Sequence, residues 1–462
     1  MSYETAVAQM FALGHELAQT PSHKFDLAHM RVLLAALGHP EDRFDAVLVA
    51  GTNGKGSTAA TLASILQASG LKTGLYTSPH LTRINERIRL NGNPIGDDDF
   101  TVLHDVVDRT AERLVSEGDL PWHPSFFEML TAMAFEYFAR SRPDLAVLEV
   151  GMGGRLDATN VVHPRLSIIT DISLDHQKYL GESVAAIARE KAGIIRPGGV
   201  VVTLPQLPEA NEVLGNAILD AGARAVNAVP FVPPVSPGSA SSVESGDDPR
   251  TIRNRYPLEV MGTQISVDSP LVGRHQLRNL ALAIAAATEL RDQLGDHGRA
   301  RITPAAIERG IRETRWPGRF QVIAATASNP EYVFDVAHNP AGAWALRSTL
   351  SAAYPDLETE GRPIALVFGV MRDKAVQEMA EILFPIAGHV VLTHANNPRS
   401  ASPDEIRQAA ARVATGVEIE ATEDVGSALH RARELAGAAG LIVVTGSIYV
   451  VGEAMRMLGV RI

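Results

Sequence analysis

The chain contains no cysteine. Disulfides and thiolate metal centres are thereby excluded, and any metal must be a hard ion held by oxygen and imidazole. Positive charge is also in deficit. With 42 Lys and Arg against 53 Asp and Glu, the formal net charge is -11, which argues against a general binder of nucleic acid or of anionic membranes. An anionic small molecule is still allowed, since the local field of a site can oppose the global charge. No apolar run reaches the roughly 18 residues of a membrane span, and no signal peptide opens the chain. The expectation is a cytoplasmic, monomeric enzyme with no nucleic-acid and no membrane partner. What is present is an ordinary globular composition, 45% hydrophobic and 21% charged over 462 residues, suited to two or three domains and too apolar for extensive disorder.

The rest is organised around Val47-Leu48-Val49-Ala50-Gly51-Thr52-Asn53-Gly54-Lys55-Gly56-Ser57, an apolar run that breaks into glycines and a lysine. A helix is expected to open near Ser57 and to run from Thr58 to Ser69. Glycines let backbone N–H groups converge on an anion, the lysine adds a point charge, and the helix N-terminus adds its dipole. The strict pattern G-x-x-x-x-G-K-[ST] fails twice, at Val49 and at Gly56. The hydroxyl that would hold Mg²⁺ directly after the lysine is missing and has to come from Ser57 or from elsewhere.

Upstream, Leu27, Met30, Leu33, Leu34 and Leu37 form one helical face that ends at Gly38 and Pro40. Downstream, a strand from Thr73 to Thr77 leads into residues 78–88, which read as too charged and irregular for core and as a functional loop beside the phosphates. A helix from Pro124 to Arg140, a strand from Leu145 to Val150, the loop 151–160 and a strand from Leu166 to Asp171 follow. This alternation implies a parallel sheet with ligands at the carboxyl ends of its strands, and Glu149 sits near such an end. Residues 229–250, rich in Pro, Ser and Gly, read as a surface excursion. Past an interruption at 294–303, strands are expected near 331–336, 364–369, 388–393 and 441–445.

Glu149, His176 and Lys191 stand just past strands or on the next helix. A carboxylate and a neutral imidazole are plausible Mg²⁺ ligands, whereas an ammonium is not. Lys191 could join them only if modified, as carbamylation by CO₂ would do. The segments Ser173-Leu174-Asp175-His176 and Ile187-Ala188-Arg189-Glu190-Lys191-Ala192-Gly193-Ile194, with Gly51 to Ser57 and Thr77-Ser78-Pro79-His80-Leu81, resemble the folylpolyglutamate synthase and dihydrofolate synthase family of Mur-type amide ligases. Gly273 to Asn279, Trp316-Pro317-Gly318-Arg319, Asp335 to Pro340 and Thr445 to Tyr449 are similar to further signatures in the family's order. The likeness spans essentially the whole chain apart from 229–250.

The resemblance implies an α/β protein. A large N-terminal P-loop-type parallel-sheet ATPase domain, Mur ligase-like, would occupy 1–297, and a smaller C-terminal Rossmann-like domain, contributing to nucleotide and glutamate binding, 298–462. ATP and two Mg²⁺ are the implied cofactors. Gly54, Lys55, Gly56 and Ser57 would cradle the ATP phosphates, with Asn279 and Asp335 meeting the nucleotide and Arg319 the phosphates. Ser78 and Glu149 would hold one Mg²⁺, which supplies the hydroxyl missing after Lys55, while His176 and a carbamylated Lys191 would serve the second. His338 and Ser447 resemble positions near the incoming L-glutamate. Lys55, Lys191, Arg319 and His338 are the implied catalytic set. Asp26-Leu27-Ala28, Ser125-Phe126-Phe127-Glu128 and Leu156-Asp157-Ala158 match segments that line the pterin pocket in bacterial members with both activities.

The implied reaction joins L-glutamate to dihydropteroate, and to the γ-carboxylate of a reduced folate, through an acyl phosphate. Alternatives are a ligase that only extends folates, another Mur-type amino-acid ligase, or a nucleotide-binding module without turnover. Because Arg319 lies beyond the expected domain boundary, domain closure is expected as well.

Overall fold

The computed structural model describes residues 1–14, 26–234, 243–245, 252–326, 329–355, 363–412 and 417–460. The chain divides into two compact units. One comprises Met1–Val232, Glu259–Ile265 and Asn279–Ile311, the other Pro233–Leu258, Ser266–Arg278 and Arg312–Ile462. Residues 298–311 belong to the first because the helix Pro304–Glu313 lies on the helix Lys55–Ala68. A Cβ on Gly310 would stand 2.4 Å from the Ile65 Cα, and the Ser64 hydroxyl donates to the Gly310 carbonyl at 2.7 Å.

The first unit is built on strands β1 (Ala46–Ala50), β2 (Thr73–Tyr76), β3 (Ile88–Leu90), β4 (Asn93–Pro94), β5 (Leu145–Glu149), β6 (Leu166–Ile169), β7 (Val200–Thr203) and β8 (Arg224–Asn227), in the order β4-β3-β2-β5-β1-β6-β7-β8. From β2 to β8 neighbours run parallel, while β3 and β4 extend the sheet antiparallel. β1 is buried along its whole length, as a strand covered on both faces has to be, and this explains its unbroken apolar run. Under the sheet the helix Phe126–Ser141 buries Phe135 and Phe138, with Phe44 edge-on to Phe138 at 5.6 Å. Each such ring contributes about 1.5–3 kcal/mol by leaving water.

Register fixes the site. Val49 pairs with Glu149 and Ala50 with Ile169. The carboxyl ends of β2, β5, β1 and β6, scattered over a hundred residues of sequence, thus emerge side by side.

Three local readings change. The helix after the cradle begins at Lys55 and not near Ser57, because Gly54 adopts the left-handed conformation (φ 87°, ψ -7°) and ends the turn there. The loop after β2 is not excluded from the core by its charge: Ile84, Asn85, Glu86 and Arg87 are all buried. Strands β7 and β8, absent from the sequence reading, complete the sheet edge.

The second unit has β12 (Gln321–Ile323), β13 (Glu331–Phe334), β14 (Ile364–Phe368), β15 (His389–Leu392), β16 (Glu418–Ala421) and β17 (Leu441–Thr445) in the order β12-β13-β17-β14-β15-β16, parallel except for β12. Its core includes Phe368 set edge-on to Phe384 at 5.4 Å. Strands β9 (Val243–Ser245), β10 (Ile252–Val260) and β11 (Thr263–Ser269) form a separate small sheet. The expected excursion 229–250 lies partly outside the described residues; within it, 229–231 is a short helical turn and β9 is a strand.

Candidate active site

The turn after β1 is held from behind. Thr52 and Asn53 both donate their N–H groups to the Asp171 carbonyl, at 2.8 and 3.2 Å. The Thr52 hydroxyl donates to the Ser173 carbonyl and accepts from the Ser173 N–H. Two glycines are sterically obligatory. A Cβ on Gly51 would fall 1.8 Å from the Thr170 hydroxyl, and one on Gly54 only 2.1 Å from the Asn279 carboxamide oxygen. Gly54 and Asn279, 225 residues apart in sequence and both expected at the nucleotide, are therefore in contact. Ser57 is buried in the first turn of the helix, and the N–H groups of that turn lack intrahelical acceptors, as at any helix start.

Two lysines converge on one carbonyl. Lys55 donates to the Gly51 and Thr52 carbonyls at 3.1 Å each, and Lys191 donates to the same Gly51 oxygen at 2.7 Å. Lys191 is 3% exposed. Burial, reinforced by the charge of Lys55 and opposed by Asp175 and Asp157, brings its ammonium down to about 7. The helix Val184–Ala192 that carries it is pressed against the loop after β5. A Cβ on Gly154 would come within 3.0 Å of the Lys191 backbone, and the Arg155 N–H donates to the Glu190 carbonyl at 2.8 Å.

Ser78 leaves β2 at the cis Ser78–Pro79 bond, and its N–H donates to the Glu149 carboxylate at 3.2 Å. Glu149 is itself 5% exposed. His176 caps a one-turn helix in the left-handed region (φ 51°), with its N–H on the Asp175 carboxylate. Asp175, the residue before it, also acts electrostatically on Lys191.

A glycine cradle, a lysine, a serine–carboxylate pair and a buried amine thus gather at the ends of parallel strands, and the chain as a whole is similar to known proteins. Residues 123–287 match the Mur ligase middle domain and 318–448 the Mur ligase, glutamate ligase domain. A dihydrofolate synthase/folylpolyglutamate synthase of Bacillus subtilis is 33% identical over 443 residues, 94% of each chain. Folylpolyglutamate synthase of Mycobacterium tuberculosis, solved with ADP and AMPPCP, superimposes with a TM-score of 0.80 at 30% identity, over 98% of this chain and 99% of that one. An FPGS–AMPPCP–folate complex gives 0.77 at 31% identity, over 99% and 100%. The chain belongs to the dihydrofolate synthase/folylpolyglutamate synthase family of Mur ligases. It is accordingly an ATP-dependent acid–amino-acid ligase.

In this ligase, the segments expected on the pterin side are placed as follows. Asp26 is exposed and caps the helix Leu27–Ala36 through the Ala28 N–H at 2.9 Å, with Leu27 buried and Ala28 exposed. Ser125 and Glu128 form a reciprocal capping box, and Glu128 also meets His29 at 3.3 Å. Its carboxyl is burdened by burial, yet these partners hold it below the usual carboxylate range. Phe126 is buried, whereas the ring of half-buried Phe127 lies 2.6 Å from where a Gly151 Cβ would stand. Leu156 is half-buried and Ala158 buried. Asp157 accepts from the Met152 N–H, the Thr159 N–H and the Thr159 hydroxyl, and so shapes the loop; burial raises its carboxyl despite these bonds.

Within the second unit, Asp335 is buried and accepts from the Phe320 and Ala337 N–H groups at 2.8 Å each. Burial raises its carboxyl, against the opposing pull of Arg319 and His338. Arg319 lies 5.9 Å from the Trp316 ring, and the His338 Nδ1 sits 2.9 Å from the Val336 carbonyl. Ser447 caps the helix Ile448–Met457, and the adjoining Gly446 N–H bonds to the Ala337 carbonyl, so the ends of β13 and β17 lie together. Sequence reasoning assigned no role to Thr52, Asn53, Ser173 or Asp175, although all stand inside the quoted motifs. Their polar character directly after apolar strands was the available signal. Among the described residues no helix is long and apolar enough to cross a membrane.

Proposed function

We propose that the ligase makes both amides, joining L-glutamate to dihydropteroate and to the γ-carboxylate of reduced folates, through an acyl phosphate. The observation that carries this reading is the convergence of Lys55, Lys191 and the Gly51 turn with the Ser78–Glu149 pair at the ends of neighbouring strands. A carboxylate is a poor electrophile. Its oxygen attacks the γ-phosphorus of ATP and ADP leaves; the glutamate amine then attacks the acyl carbon and phosphate departs. Gly54, Lys55, Gly56 and Ser57 hold the phosphates in line, and Lys55 neutralises the charge that develops on them. To reach them, its ammonium has only to exchange the two turn carbonyls for phosphate oxygens.

The residues present suit Mg²⁺: the buried Glu149 carboxylate accepts from the Ser78 N–H, which sets a serine and a carboxylate next to one another. They would hold one ion, and His176 with Lys191 a second. Bound there, Mg²⁺ supplies charge neutralisation and orientation of phosphate oxygens. An ammonium does not fit such a site, but Lys191, brought down to about 7, has the neutral amine that CO₂ requires to form a carbamate. In the second unit, Asn339, which caps its helix through the Gly342 N–H, sits beside His338. We assign Arg319 and Asp335 to the nucleotide and His338 and Ser447 to L-glutamate. On the acid side, Asp26, Leu27, Ala28, Ser125, Phe126, Phe127, Glu128, Leu156, Asp157 and Ala158 are assigned to the pterin end.

The test is ADP release with ATP and L-glutamate, first with dihydropteroate and then with tetrahydrofolate. Release with both supports the reading. Release with tetrahydrofolate alone leaves a folate-extending enzyme, and release with neither defeats it.

A further inference from the structure

The segment 170–173, which continues β6, carries the contacts that hold the Gly51 to Asn53 turn from behind. The Thr170 N–H donates to the Ala50 carbonyl at 2.8 Å, the Asp171 carbonyl accepts from the N–H groups of Thr52 and Asn53, and Ser173 exchanges bonds with the Thr52 hydroxyl. On its other edge β6 pairs with β7, in register from Ser167 against Val201 to Ile169 against Thr203. The register ends there. β7 stops at Thr203, and two residues on comes Pro205, which has no N–H to give.

A side chain takes over the pairing. The Oε1 of half-buried Gln206 accepts from the Ile172 N–H at 3.0 Å, and its Nε2 donates to the Thr170 carbonyl at 3.3 Å. An N–H can only donate and a carbonyl only accept, so these partners fix which end of the carboxamide is which. The chain is thereby gripped on both sides of Asp171, as the N–H and C=O of one residue would grip it in a parallel ladder. Gln206 is fixed in its turn by Asn211, on the helix Pro208–Asp220. The Gln206 N–H donates to the Asn211 Oδ1 and its carbonyl accepts from the Asn211 Nδ2, each at 2.9 Å.

We propose that Gln206 is a positioning residue of the phosphate cradle. Acting through the backbone on either side of Asp171, it holds the turn from Gly51 to Asn53, and Lys55 after it, in the shape that receives the ATP phosphates. A turn already in its bound shape binds more tightly than one that has to be ordered by the ligand. The proposal rests on the reading of Gly54 to Ser57 as that cradle and adds to it a side chain from beyond β7.

The experiment is AMPPCP binding by the full-length protein, measured by calorimetry, with circular dichroism as the check of the fold. Gln206→Leu, which removes both bonds, is expected to weaken AMPPCP about tenfold. Gln206→Glu supplies a readout that loosened packing would not move. Its carboxylate still accepts from the Ile172 N–H but turns a second oxygen on the Thr170 carbonyl, whereas the protonated acid has an O–H to donate there. The ratio of its dissociation constant to that of wild type is therefore expected to be about tenfold at about pH 8 and to fall towards one as the pH approaches about 5. The Gln206→Leu ratio stays flat over the same range. Asn211→Ala, at an exposed position, should weaken AMPPCP in the same direction and add nothing to Gln206→Leu in the double variant. A folded Gln206→Leu protein with wild-type affinity overturns the proposal. Should that variant not fold, a Gln206→Glu ratio that does not change with pH overturns it instead. Gly54→Ala keeps the two readings apart. Wild-type affinity in that variant removes the cradle and this proposal with it, while weak binding there beside wild-type binding in the Gln206 variants removes the role of Gln206 alone.

Discussion

Replacing Lys191 is the most demanding test of how this site works. The residue is 3% exposed, and its amine shares the Gly51 carbonyl with Lys55. The drop from an ordinary 10.5 to about 7 corresponds to about 5 kcal/mol against the charged form, at about 1.36 kcal/mol per pKa unit. At pH 7 an ordinary lysine is neutral in about one molecule in 3,000, and the lowered ammonium of Lys191 makes the neutral share far larger here. That neutral form is the one CO₂ requires. Lys191→Ala is therefore expected to remove most ADP release, and acetate or formate, entering the vacated space as a carboxylate, to restore part of it. Full activity in the unrescued variant would falsify the reasoning.

The same burial has a thermodynamic sign. Between about pH 7 and 10.5 the folded chain holds fewer protons at this group than the unfolded chain, so its stability rises with pH there. In CO₂-free buffer the wild type should gain up to about 1.4 kcal/mol per pH unit relative to Lys191→Met across that window. Parallel stability–pH curves for the two proteins in urea would contradict this.

Other substitutions probe separate parts of the site. Glu149→Gln keeps an acceptor for the Ser78 N–H but loses the charge; the Mg²⁺ concentration for half-maximal activity should rise at least about tenfold with the circular dichroism spectrum unchanged, and an unshifted titration removes Glu149 as a ligand. Gly54→Ala combines a φ of 87° with a Cβ 2.1 Å from the Asn279 oxygen. At about 1–2 kcal/mol of backbone strain before any clash, calorimetry should show AMPPCP affinity reduced at least about tenfold, and wild-type affinity would sink the account of the cradle. Asp157→Ala orphans the Met152 and Thr159 donors, so the urea midpoint should fall by the equivalent of about 1–3 kcal/mol; an unmoved midpoint means that the loop does not depend on this carboxylate.

Much of the fold was legible because its signals are local. The apolar run from Val47 and the strands expected at Leu145 to Val150, 364–369 and 441–445 are strands in the structure, at Ala46–Ala50, Leu145–Glu149, Ile364–Phe368 and Leu441–Thr445. The glycines around Lys55 announced a turn that no side chain could enter. β7 and β8 were passed over: β8 is largely exposed at the sheet edge and lacks the apolar contrast that periodicity detects, whereas Val200–Thr203 of β7 carried an apolar run that the reading left unused. The loop 78–88 was misread for a different reason. Charge in a sequence implies solvent only when nothing pairs with it, and the partners of Glu86 and Arg87 include the loop's own backbone and residues such as His80 and Phe126.

The amino-acid order by itself determined the parts: a glycine-rich turn after an apolar strand, its lysine, a carboxylate at a strand end, and a second lysine that could be a metal ligand only if modified. Tertiary structure alone decided which parts meet. Strand order places β1 between β5 and β6, and packing sets Lys191 against a carbonyl 140 residues away and Asn279, on the helix Arg274–Gln293, against Gly54. The physical reason is that a group's chemistry depends on its solvation and its charged neighbours. Both are properties of the packed chain, and neither is encoded at any single position.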